Sequence, residues 1–129
     1  MRDIFDEAET DAVLFIDAAN AFNSLNRKAM IHNIKYLCPA MATYLQNCYR
    51  TPSRLFIAGG HELASVEGTT QGDPLAMPAY GIGIIPLLLA IKPEDETDPV
   101  KMKHVAYADD LGGGSKLRKI RDWWDRVVQ

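Results

Sequence analysis

The stretch HVAYADDLGGG, residues 104–114, decides how this chain is read. Its first half is apolar and β-prone. Two adjacent carboxylates, Asp109 and Asp110, follow, and then three glycines at 112–114. An apolar run broken by such a pair reads as a hairpin, with residues 100–107 and 111–115 as strands and Ala-Asp-Asp at the turn, where aspartate is favoured. Like charges side by side at a hairpin tip are either a solvated turn or one half of a site that holds something positive.

A partner for them stands near the other end of the chain. Residues 12–17, AVLFID, are a continuous apolar run of the length and character of a buried central strand, and it ends in Asp17. If strand and hairpin are neighbours in one sheet, Asp17, Asp109 and Asp110 converge at one edge. Unneutralised carboxylates repel strongly at low dielectric, and a divalent cation removes that cost. Hard oxygen ligands completed by water and phosphate suit Mg²⁺. Two such ions can activate a hydroxyl and stabilise a leaving oxygen. Each piece also has a plainer reading: Asp-Asp is a common surface turn, and Asp17 can be a helix cap or an ordinary strand end.

Outward from these two elements, Asn23 or Ser24 is expected to cap a helix from near Asn26 to Leu37. Pro39 opens a second helix over 39–50. Residues 54–68 read as a hairpin about Gly59-Gly60, and 69–74, TTQGDP, as a loop. An apolar helix follows from Pro74, then an acidic linker over 92–99, and an amphipathic helix over 116–129. No internal repeat is present. The order predicts an α+β fold, an antiparallel sheet covered by helices on one side.

The 129 residues suffice for one domain, and 47 % hydrophobic content allows a core. A net charge of −3 argues against a self-sufficient nucleic-acid binder. The charge is uneven: −4 over residues 1–11, +1 over 12–91, −3 over 92–99 and +3 over 100–129. Cys38 and Cys48 form no CxxC pair and no zinc spacing, so both read as reduced thiols. No secretory signal is recognisable, which makes an intracellular setting the expectation. Residues 74–91 carry no charge, but Pro74, Pro78 and Pro86 with Gly81 and Gly83 fit a kinked, buried helix better than a membrane span.

Three segments in order, FIDAANAFNSLNR (15–27), EGTTQGDPLA (67–76) and YADD (107–110), together resemble motifs A, B and C of a reverse transcriptase palm. The resemblance covers residues 12–127, and Ala108 between Tyr107 and Asp109 is closer to non-LTR retroelements, group II introns and retrons than to retroviruses. It implies a polymerase palm-like antiparallel sheet packed against helices, an incomplete domain of residues 12–129 behind an acidic leader, 1–11. It implies roles as well. Asp17 and Asp109 would bind Mg²⁺, with Mn²⁺ as a substitute, the Ala18 carbonyl as an extra ligand and Asp110 completing the acidic cluster. Asn20 and Ala21 would offer backbone N–H groups to the triphosphate, as anion-binding loops do. Phe22 would lie under the sugar and exclude a 2′-hydroxyl; Gln71 and Gly72 would border nucleotide and template; Tyr107 would lie near the primer end.

Ala76-Met77 stand where the family usually has Ser-Pro. The basic fingers, the motif D lysine and the thumb are missing from these residues, and the charges Lys116, Arg118, Lys119 and Arg121 read as a solvated helix face. The expected activity of the parent protein is attack of a primer 3′-hydroxyl on the α-phosphate of a dNTP, directed by an RNA or DNA template. Its expected partners are that template with its primer, dNTP, and the remaining fingers and thumb, with no membrane involved. The fragment alone is expected to be inactive. The rival expectation is a non-catalytic, retroelement-derived remnant acting as a binding or structural domain.

Overall fold

The structure is a computed structural model that describes residues 4, 10–92, 97 and 99–129. Most of the acidic leader and the centre of the acidic linker lie outside the described residues. In chain order the elements are β1 (Ala12–Asp17), α1 (Ala21–Ser24), α2 (Arg27–Leu37), α3 (Pro39–Tyr49), β2 (Ser53–Ile57), β3 (His61–Ser65), α4 (Ala76–Ala90), β4 (Lys103–Tyr107), β5 (Asp110–Ser115) and α5 (Leu117–Val127). The class is α+β with antiparallel sheets, as the sequence predicts. The strands divide between two sheets instead of joining one: three strands in the order β1-β5-β4, and the separate hairpin β2-β3. The chain forms two compact units, one from residues within 1–19 and 87–129, the other from 20–86.

In the first unit, β1 and β5 run antiparallel with Leu14 opposite Gly113, Ile16 opposite Leu111 and Asp17 opposite Asp110. On the other side of β5, Tyr107 of β4 is also opposite Asp110. Alternation sends Ala12, Leu14, Ile16 and Leu111 to one face, where they pack against Met102, Ile120 and Trp123. That face is covered by α5, whose sequence repeats apolar residues at helical spacing. Gly113 is required there: a Cβ on it would lie 2.2 Å from the Met102 side chain and 2.9 Å from the Trp123 ring. The opposite face carries Phe15, Asp17, Val105, Tyr107 and Asp110, all exposed.

In the second unit, α2 and α3 bury Met30, Ile34, Ala42, Leu45 and Tyr49 together with Ala79 of α4. The expected cap at Asn23 or Ser24 is corrected. Residues 21–24 form a helical turn of their own, Leu25 returns to extended backbone, and Asn26 caps α2 by accepting from the Ala29 N–H at 2.9 Å. The α4 helix starts at Ala76 and not at Pro74, because the chain first closes a turn in which the Ala76 N–H donates to the Asp73 carbonyl. The Asn33 amide reaches the Gly83 carbonyl at 2.8 Å and ties α2 to α4. No helix among the described residues is long and apolar enough to cross a membrane.

Candidate functional site

Asp17, Asp109 and Asp110, the carboxylates singled out from the sequence, all lie at one end of the three-stranded sheet. Asp17 is the last residue of β1 and Asp110 the first of β5, and they are register partners. Directly opposed residues of an antiparallel pair have Cα atoms about 4.5–5.5 Å apart, and like charges so placed are destabilising. Asp110 belongs to a strand, not to the turn as expected. The turn is the two-residue loop Ala108-Asp109, closed by the Tyr107–Asp110 pair. Ala108 has φ +53°. Positive φ at the first central position is what a tight hairpin demands and glycine usually supplies. For alanine it costs about 1–2 kcal/mol. Asp109 is therefore held, half-buried, beside the exposed Asp17–Asp110 pair by a strained turn. Such strain is concentrated at functional positions.

The acidic side chains at this end are those of Asp17, Asp109 and Asp110. Among the described residues, no three or more His, Cys, Asp or Glu side chains are gathered closely enough to cage a metal ion. Asp17, Asp109 and Asp110 share this end of the sheet without forming such a group. Mg²⁺ does not require one, being held by one or two carboxylates plus waters and substrate phosphates more often than by an all-protein cage.

The residues expected to meet the nucleotide all belong to the second unit. Asn20 sits in the left-handed region at φ +59°, and its carbonyl accepts from the N–H groups of Asn23 and Ser24, closing α1. The Ala21 and Phe22 amides head that turn, ahead of its first internal hydrogen bonds. The Phe22 ring is half-buried against Tyr80, with centroids 4.5 Å apart. Gln71 and Gly72 form an exposed turn, Gly72 at φ +94°. Ala18 is exposed just beyond β1.

The sequence reading missed what fastens these pieces. The Gly68 N–H donates to the Leu25 carbonyl and the Thr69 N–H to the Phe22 carbonyl, both at 2.7 Å. Gly68 has φ +65°, and a Cβ on it would lie 2.1 Å from the Phe22 carbonyl oxygen, so only glycine permits this approach. Arg27, 4 % exposed, donates from Nε to the Gly68 carbonyl (3.0 Å), from Nη1 to the Ser65 carbonyl (3.0 Å), and from Nη2 to the Glu67 carbonyl (2.9 Å) and Ser65 Oγ (3.2 Å). Its own N–H donates to the Glu67 carboxylate at 2.7 Å. The Tyr49 hydroxyl donates to Asp73 Oδ2 and accepts from the Thr70 N–H, while Asp73 Oδ1 accepts from the Leu75 N–H. Burial, with the Asp73 carboxylate beside it, raises the Tyr49 phenol above its ordinary range and keeps it a donor. Asp73 before Pro74 was the one available signal, since Asp commonly bonds the backbone two residues on. Arg27 and Tyr49 gave none, because their partners are 38–41 and 21–24 residues away.

No protein-family model, curated protein or solved structure matches this chain.

Proposed function

We propose that the chain is part of the palm of an RNA-directed DNA polymerase of the non-LTR, group II intron or retron kind, a nucleotidyltransferase. The observation that carries the reading is the pairing of Asp17 with Asp110 across β1 and β5, beside Asp109 in the strained turn. Asp17 and Asp109 would hold the catalytic Mg²⁺, with the Ala18 carbonyl and Asp110 as further oxygens of the site. When bound, the metal supplies Lewis-acid stabilisation of the attacking and leaving oxygens. Tyr107, exposed on the same face as Asp110, borders the primer end. Asn20 and Ala21 meet the triphosphate through backbone N–H groups, Phe22 bars the 2′-hydroxyl, and Gln71 and Gly72 border the base pair being formed. Arg27, Gly68 and Tyr49 are positioning residues: they fix the loops that carry those contacts.

The test is incorporation of labelled dNTP on a primed RNA template by the polypeptide that carries these residues together with fingers and thumb. Activity that needs Mg²⁺ and falls at least about 1,000-fold in Asp17→Asn and Asp109→Asn supports the reading; removal of one essential group commonly costs that much. A polypeptide that binds primer and template but shows no acid-dependent incorporation favours the non-catalytic remnant.

A further inference from the structure

A groove of about 630 Å³ lies between α2 and α3 and is lined by Arg27, Lys28, His32, Lys35, Arg50 and a single acid, Glu67. It shares no residue with the acid pair or the Gln71-Gly72 loop. Lys28, His32 and Lys35 are all exposed at positions i, i+4 and i+7 of α2, so they form one stripe. Arg50 faces them from the end of α3. The lone acid is already engaged, because Glu67 accepts from the Arg27 N–H. Arg27 lies buried at the base with its donors committed to Ser65, Glu67 and Gly68, a fixed cation in the wall. In a chain of net charge −3 this is a concentrated positive patch.

We propose that this groove binds a single strand of nucleic acid through its phosphates. Two features favour a strand over a small anion. The stripe from Lys28 to Lys35 runs along about 10 Å of helix, too long for one phosphate and matched to about three successive ones. Next to it, Tyr36 is 75 % exposed and packs on His32 with ring centroids 4.9 Å apart, which offers a base a face to stack on. Basic grooves with such aromatic platforms are how single strands are held without sequence preference.

The proposal stands on the groove alone, so its test is run in EDTA, where the metal-dependent reading plays no part. Fluorescence anisotropy of a labelled 12-residue oligouridine is measured against the whole chain. Three phosphate contacts predict affinity falling about 20-fold between 50 and 200 mM salt. The triple variant Lys28→Ala/Lys35→Ala/Arg50→Ala, its fold checked by circular dichroism, should lose at least tenfold in affinity at 50 mM and most of the salt dependence. Arg54→Ala/Arg121→Ala, which removes two cations outside the groove, should bind as the parent does. Binding that ignores the triple substitution, or no salt-dependent binding, overturns the proposal. So does competition by inorganic pyrophosphate as effective as by unlabelled oligonucleotide, or tighter binding to phosphatidylserine vesicles than to the strand.

Discussion

Replacing Arg27 by alanine removes the clamp between α2 and the loop that leads to Gln71-Gly72. Three main-chain carbonyls, of Ser65, Glu67 and Gly68, lose a charged donor at once. An orphaned buried polar group costs about 1–3 kcal/mol. The guanidinium also lies 5.2 Å from the centre of the Tyr49 ring, a contact worth about 0.5–2 kcal/mol. Water entering the vacated space recovers part of this, so the expected loss is about 3–5 kcal/mol, the range for emptying one side of a buried charged network. Arg27→Lys should recover little, since an ammonium cannot span acceptors arranged for a planar fork. Urea unfolding gives the global figure. Amide exchange of Gly68 and Thr69, whose N–H groups bond Leu25 and Phe22, gives the local one, and both amides should lose protection. A loss under about 1 kcal/mol with unchanged exchange would refute the claim that Arg27 fastens the two motifs.

Ala108→Gly relieves the positive φ at the hairpin tip and should stabilise the protein by about 0.5–1 kcal/mol in thermal unfolding, after the entropy of the freer unfolded chain is subtracted. Burial, with Lys92 nearby, lowers the pKa of His104, and its Nδ1 has no hydrogen-bond partner in the described structure. As pH drops below the ordinary histidine range the unfolded chain takes up that proton first, so stability is full above about pH 6.5 and declines through the lower folded-state value. Urea titrations at several pH values should show that decline, and His104→Gln should flatten it. Phe22→Val, assayed in the polypeptide that carries the full polymerase, should raise the ratio of ribonucleotide to dNTP kcat/KM by about 10- to 100-fold. The same change gives up the Tyr80 contact, about 0.5–1.5 kcal/mol, and a ring with only a packing role would show that loss with no change in sugar preference.

What could be read from the sequence follows the reach of its signals. β1 and the β4–β5 hairpin were legible because a run of apolar residues ending in acid, and the YADD turn, are local patterns. So were α3, opened by Pro39, and the hairpin about Gly59-Gly60. The boundaries that moved did so through single hydrogen bonds: Asn26 outcompeted Asn23 and Ser24 as a cap because Leu25 breaks the helix, and Asp73 delayed α4 by two residues. The division of strands between two sheets was not legible, since pairing depends on contacts between distant segments. The acids were singled out by their places at a strand end and a turn, and the other candidates only by the resemblance of the three motifs, whereas Arg27, Tyr49 and Gly68 act through partners that no periodicity reveals.

The most direct measurement is Mn²⁺ titration of the ¹⁵N-labelled chain, read as paramagnetic broadening of backbone amide signals. A cation held by Asp17 and Asp109 should broaden the amides of residues 17–18 and 107–111 first, and Asp109→Asn should abolish the effect while leaving the remaining spectrum intact. Broadening centred on other acids such as Glu62 or Asp122 and Asp125, or spread evenly over the surface, would contradict the assignment of this sheet end as a metal site.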